Sequence, residues 1–190
     1  MSETPLLLTF DSSVIFAVIK RETYHDLSAI EQLISLARES IISIQVTEAF
    51  RRDVSRSRVS EVIARQLDWL AKSPVLQGSV GGVFRLDVSL LGSNDMLCDK
   101  RTETLNDKLI ELLGIQGKAA NPSRAYSDID HLLAHALSGA DMFVTVDEDT
   151  ILNRQKGLWG LGLKVLRPAE ALRRVSDHHN FEDFPPPQQS

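Results

Sequence analysis

The chain of 190 residues has one cysteine, Cys98. An internal disulfide framework is therefore excluded, and a single thiol suits a reducing compartment. Long apolar runs are also missing, since none approaches the ~20 residues that span a bilayer. The N-terminus has no basic segment leading into an apolar run and a cleavage site, so the expectation is a cytoplasmic protein with no membrane partner. Basic excess is absent too: Lys and Arg total 21 against 26 Asp and Glu, a net charge of −5. That balance argues against a protein that coats nucleic acid electrostatically. It leaves a nuclease open, because acids that hold metal count toward the same total. There is no internal repeat and no strong domain boundary.

What is present is ordinary in bulk and specific in pattern. Hydrophobic residues make up 43% and charged residues 25% of the chain, which suits one soluble globular domain. Three short apolar runs end on or near an acid. Leu6–Phe10 stops at Asp11, Ile41–Val46 is followed by Thr47 and Glu48, and Met142–Val146 stops at Asp147. Apolar runs separated by helical patterns read as buried strands of a parallel sheet. In such a sheet every C-terminal end points to one edge, where open α/β sheets place their ligands. Crowded carboxylates repel one another and resist desolvation, so a cluster of them calls for a cation.

Between these runs the pattern predicts helices over Ser12–Lys20, around Ile30–Ala37, after Glu48, and along Val59–Leu70. Gly78, Gly81 and Gly82 mark a loop before a short strand, Val83–Val88. A helix over Asp95–Leu113 stops at Gly114, and residues 115–125 form a linker. A helix around Tyr126–Ser138, the strand at Met142, a helix near Ile151–Lys156, a strand at Lys164–Leu166 and a helix from Pro168 to Val175 complete the order. The domain is expected to span 1–175, with an extra helical segment at about 53–125 and a disordered tail over 176–190.

The segment SDIDHLLAHALSGADMFVTVDEDTIL (Ser127–Leu152), with LLLTFDSSVI at the N-terminus and VTEAF after the second strand, resembles the PIN-domain nuclease family. The closing LGLKVLRPAEAL is similar to that family's last strand and helix; residues 53–124 match no family motif. The resemblance implies a three-layer α/β/α fold with a central parallel sheet and an Mg²⁺- or Mn²⁺-dependent endoribonuclease, including the VapC-like toxins of toxin–antitoxin pairs. It places the family's four acids on Asp11, Glu48, Asp130 and Asp147, with Asp149 as an occasional extra metal ligand. Asp128, two residues from Asp130 on the same helix and so pointing elsewhere, is the reserve for the third position. The family's Ser or Thr before the last acid is displaced here, Val146 standing between Thr145 and Asp147. The implied partners are an RNA substrate, an antitoxin or other protein, and a second copy of the chain.

The chemistry asks for the same residue types independently. Hard divalent cations take oxygen ligands, and Mg²⁺ keeps waters while using one or two carboxylates plus substrate phosphate. Taken singly, each acid also reads as a helix cap, and Ser127-x-x-Asp130 resembles a capping box. His131 and His135 have the i, i+4 spacing of a zinc pair, but no third ligand is evident, and opposite the stripe Ile129, Leu132, Leu133 and Ala136 they read as a solvated face. Trp69 and Trp159 read as packing residues. Arg51, Arg52, Arg56 and Arg58 follow Glu48 and are candidate RNA-backbone contacts, with a solvated charged surface as the plainer reading. The alternative function is a non-catalytic PIN-like module that binds RNA or protein.

Overall fold

The computed structural model describes residues 5–20, 26–55, 61, 64–65, 68, 72–73, 76–80, 99–115 and 126–179. Among these, five strands form one parallel sheet: β1 (Leu6–Phe10), β2 (Ile42–Thr47), β3 (Leu76–Val80), β4 (Met142–Val144) and β5 (Val165–Leu166). Their order is β3-β2-β1-β4-β5, every pair parallel. The chain builds outward from β1 in one direction, then returns to its other side through β4. The topological switch point therefore lies between β1 and β4, where open α/β sheets form a crevice at the carboxyl ends.

The helices that can be traced from end to end among the described residues are α1 (Ser12–Lys20), α2 (Leu27–Arg38), α3 (Ala49–Ser55), α4 (Lys100–Leu113), α5 (Ser127–Ser138), α6 (Gln155–Gly160) and α7 (Pro168–His178). Strand alternation sorts the layers. Leu8, Phe10, Ile42, Ile44, Val46, Met142, Val144 and Leu166 share a fully apolar core with Val14, Ile15, Ile30, Leu33, Leu172 and Val175 of α1, α2 and α7. The opposite face is divided. Phe143 and Val165 pack with Leu109 and Leu113 of α4 and Ile129, Leu132 and Leu133 of α5, whereas β1 and β2 present buried Thr9, Gln45 and Thr47.

Helix ends follow their local chemistry. Asp99 caps α4 by accepting from the Thr102 amide at 2.8 Å, and Gly114 ends it in the left-handed region at φ 71°, the stop its sequence predicts. The capped start lies five residues later than the predicted Asp95. The predicted strand at Val83–Val88 lies outside the described residues, and β3 is found earlier, with Gly78 inside it rather than in a loop. Its pairing with β2 slips between Ile44 and Val46; a glycine inside a strand commonly marks such an irregularity. Helix α7 runs to His178, three residues past the predicted end at Val175 and into the predicted tail, and Val175 packs in the core. The predicted helix Val59–Leu70 falls largely outside the described residues, as do Trp69 and the end of the chain from residue 180.

At the outer edge, the Lys164 and Leu166 carbonyls accept from Phe143 and Thr145 of the β4 segment at 2.9 and 3.1 Å. The Val165 carbonyl points the other way and accepts from Gln155 Nε2 at 2.9 Å and Trp159 Nε1 at 3.0 Å. Trp159 is 44% exposed, so its ring is less a packing residue than its leucine neighbours suggest.

Candidate functional site

Asp11 leaves β1 at the switch point, its amide donating to the Val144 carbonyl of β4 at 3.0 Å. Its carboxylate is buried and held from three sides. Oδ1 accepts from the Ser12 amide at 2.8 Å, and Oδ2 from Ser13 Oγ at 2.5 Å and Thr145 Oγ1 at 2.8 Å. Thr145 Oγ1 also accepts from the Asp147 amide at 3.0 Å. The threonine displaced by one residue thus ties the Asp11 carboxylate to the backbone that carries Asp147. Asp147 accepts from the Thr150 amide at 2.9 Å, which fixes the turn after β4.

The third acid to join them is Asp128, in the first turn of α5. Its carboxyl is pushed up to about 7 by burial and then by the charges of Asp11, Asp147 and Asp53, with His131 opposing. Asp130, two positions along the helix, is 1% exposed and turns away to pair with Arg52 at 2.6 Å. Residues two apart on a helix diverge: Asp130 is engaged by Arg52, and it is Asp128 on which the charges of Asp11 and Asp147 bear, so Asp128 becomes the stronger candidate for the third position. Arg52 is corrected: 4% exposed and paired inside, it is not a surface contact for an RNA backbone. The Arg51 side chain, Arg56 and Arg58 lie outside what is described. Glu48 follows β2 at the same edge of the sheet and is buried, while Asp149 is exposed beyond Asp147.

His131 and His135 are also corrected, from a solvated face to buried positions at 1% and 3% exposure. Helix α5 is buried on two stripes. Its apolar stripe meets Phe143 and α4, and its polar stripe lies on Thr9, Gln45 and Thr47. His135 Nδ1 bonds Thr9 Oγ1 at 2.9 Å, and Gln45 Nε2 donates to Thr9 Oγ1 and Ser138 Oγ at 2.9 and 2.7 Å. With burial as the cause, His135 is driven down to about 4, so it stays neutral near pH 7. His131 behaves oppositely. Burial opposes its charge, but the bond to Asp53 and the charges of Asp11, Asp53 and Asp128 outweigh it and raise its pKa. Its Nδ1 meets Thr47 Oγ1, while its Nε2 lies 2.9 Å from Asp53 Oδ2 and 3.0 Å from Ser12 Oγ. With both ring nitrogens engaged by Thr47, Ser12 and Asp53, His131 has no nitrogen left to offer zinc.

Asp53, in α3, is the residue the sequence did not single out. Oδ2 accepts from Ser12 Oγ at 2.5 Å and from His131, and Oδ1 accepts from Ser127 Oγ at 2.6 Å. Burial resists its charge, but the His131 bond and charge and the two serine bonds win, holding it well below the usual carboxylate range.

The donors offered by Asp11, Asp128 and Asp147 are all oxygens, and Asp128 lies in the field of the other two. Such a set fits a hard divalent cation that keeps much of its water. Among the described residues no three His, Cys, Asp or Glu side chains form a ready-made cage, so a dedicated protein-only cage does not fit. No helix of the described residues is long and apolar enough to cross a membrane.

A parallel sheet with helices on both faces, and acids at the strand ends, is consistent with the PIN-like architecture the sequence predicts. No family model and no curated protein matches the chain. Among solved structures it is similar to a chain in the crystal structure of VapBC2 from Rickettsia felis bound to a DNA fragment from their promoter. The identity is 13% and the TM-score 0.47, over 85% of this chain and 98% of that one.

Proposed function

We propose that the chain is a divalent-cation-dependent endoribonuclease whose pocket uses Asp11, Asp128 and Asp147, with Glu48 at the neighbouring strand end. The observation that carries this reading is that Asp11, Glu48 and Asp147 all follow C-terminal ends of parallel strands at one edge of the sheet, where the charges of Asp11 and Asp147 bear on Asp128. Bound Mg²⁺ or Mn²⁺ would lower the pKa of a water and offset charge on the scissile phosphate. The chain's own part is to hold the acids. Thr145 and Ser13 orient Asp11, the Thr150 amide orients Asp147, and α5 delivers Asp128. Asp149, exposed on the rim, is a weaker candidate for the same ion.

The full chain should cleave single-stranded RNA with Mg²⁺ or Mn²⁺, and EDTA should abolish cleavage. Asp11→Asn and Asp128→Asn should each lower the rate on the order of a hundredfold or more. The Asp128→Asn loss should exceed that of Asp130→Asn measured on folded protein; the reverse order would return the third position to Asp130. The toxin form of this reading makes a separate demand: expressing the wild type should arrest growth and Asp11→Asn should not. A protein antitoxin would then restore growth while binding the chain.

A second reading, a non-catalytic module that binds RNA or protein, is favoured by the lack of a preformed three-ligand cage among the described residues. RNA binding that is unchanged by EDTA, with no cleavage at any Mg²⁺ or Mn²⁺ concentration, would select it.

A further inference from the structure

Two of the pocket acids stand next to a serine, and both serines reach the same carboxylate. Ser12 follows Asp11 and donates to Asp53 Oδ2; Ser127 precedes Asp128 and donates to Asp53 Oδ1. Ser12 also holds Asp11 directly, through its amide to Oδ1 at 2.8 Å. His131, one turn beyond Asp128, closes the arrangement from behind. Its Nε2 is 2.9 Å from Asp53 Oδ2 and 3.8 Å from Asp11 Oδ1. Asp53 is 12% exposed at its side chain, and its bonds to two hydroxyls and the His131 ring leave it poorly suited to take an ion itself.

We infer that Asp53 is a positioning residue: by bridging the starts of α1 and α5 through Ser12 and Ser127 it sets the separation of Asp11 and Asp128. The inference rests on the cation-dependent reading above and adds to it a determinant of which ion the pocket accepts. Mg²⁺ demands near-ideal octahedral geometry at short distances, whereas Ca²⁺ tolerates longer and irregular ones. A pocket whose acids are held at a fixed separation favours the smaller ion, and releasing the bridge removes that preference.

The test is Mg²⁺ and Ca²⁺ binding by the full chain, each ion alone, measured by calorimetry for wild type, Asp53→Asn, Ser127→Ala and Leu33→Ala. Asp53→Asn should weaken Mg²⁺ by about tenfold to a hundredfold, the range for residues that orient metal ligands, with Ca²⁺ changed much less. Ser127→Ala removes one of the hydroxyl bonds and keeps the buried ion pair, so it should fold even where Asp53→Asn does not. It should move the Mg²⁺/Ca²⁺ ratio the same way by a smaller factor. Leu33→Ala opens a cavity in the apolar core on the other face of the sheet, and should lower the melting temperature without altering the ratio. Ratios equal to wild type in both Ser127→Ala and any folded Asp53→Asn would overturn the positioning role alone. A wild type that binds neither ion would remove the cation-dependent reading, and the positioning role with it.

Discussion

On one face of the sheet Leu8, Phe10, Ile44 and Val46 meet aliphatic side chains of α1, α2 and α7. On the other, Thr9, Gln45 and Thr47 meet His135, Ser138 and His131 of α5 through hydrogen bonds. Both surfaces are buried, yet they constrain their helices differently. Apolar contact is non-directional and tolerates repacking of similar volume. A hydrogen-bonded seam has one good register, because each buried donor or acceptor left unmade costs about 1–3 kcal/mol. The seam is thus suited to fixing where α5 stops along the strands, and hence where Asp128 meets Asp11 and Asp147. The face that carries the chemistry is the one held by directional bonds.

The largest effects should come from breaking a buried charge pair and from emptying the apolar core. Arg52→Met alone leaves the Asp130 carboxylate buried and should cost about 3–5 kcal/mol; Phe10→Ala should cost a similar ~3–5 kcal/mol through cavity formation. The double variant Arg52→Met with Asp130→Leu separates the two cases. Replacing both partners should restore most of the loss in denaturant unfolding, whereas no second truncation should rescue Phe10→Ala. A double variant as unstable as the single one would show that this pair is indispensable in itself.

Next comes acid. The unfolded chain protonates His135 near pH 6.5, but the folded chain only near about 4. Between those values the unfolded state binds the extra proton. The stability from burying neutral His135 is therefore complete above pH 6.5 and declines as pH falls toward 4, by roughly 3 kcal/mol. His135→Gln should flatten this part of the profile of melting temperature against pH, and an unflattened profile would assign the acid sensitivity to other groups. The smallest effect is expected at the surface. Arg167 and Glu148 pair in the open, so Glu148→Gln should change stability by less than about 1 kcal/mol and less still in high salt.

Much of this organisation was legible in the chain. The strand end at Asp11, the stop at Gly114, and the proline-led α7 follow from local pattern, because apolar period and cap chemistry act over a few residues, whereas β4 closes at Val144, two residues short of the predicted Val146. The choice between Asp128 and Asp130 was not, although a signal existed. Asp128, His131 and His135 recur at helical spacing, and Thr9, Gln45 and Thr47 alternate with aliphatic residues in buried strands. Two polar stripes of matching period ask for each other. Reading α5 by its apolar stripe alone assigned the other side to solvent and left its histidines there. Asp53 had no such signal: Ser12, Ser127 and His131, among its partners, come from 41, 74 and 78 residues away along the chain, and only the assembled fold brings them together.

The outward Val165 carbonyl has a consequence for life in a crowded solution. An edge strand with open backbone acceptors is a template on which another chain can add a strand, the first step toward uncontrolled assembly. Strand β5 is only two residues long, and its one carbonyl directed away from β4 is occupied by the side chains of Gln155 and Trp159. An incoming strand would have to displace two donors from a single acceptor before gaining its first bond. Among the described residues this border of the sheet is closed by side chains from the neighbouring helix, which disfavours β-pairing with another chain there.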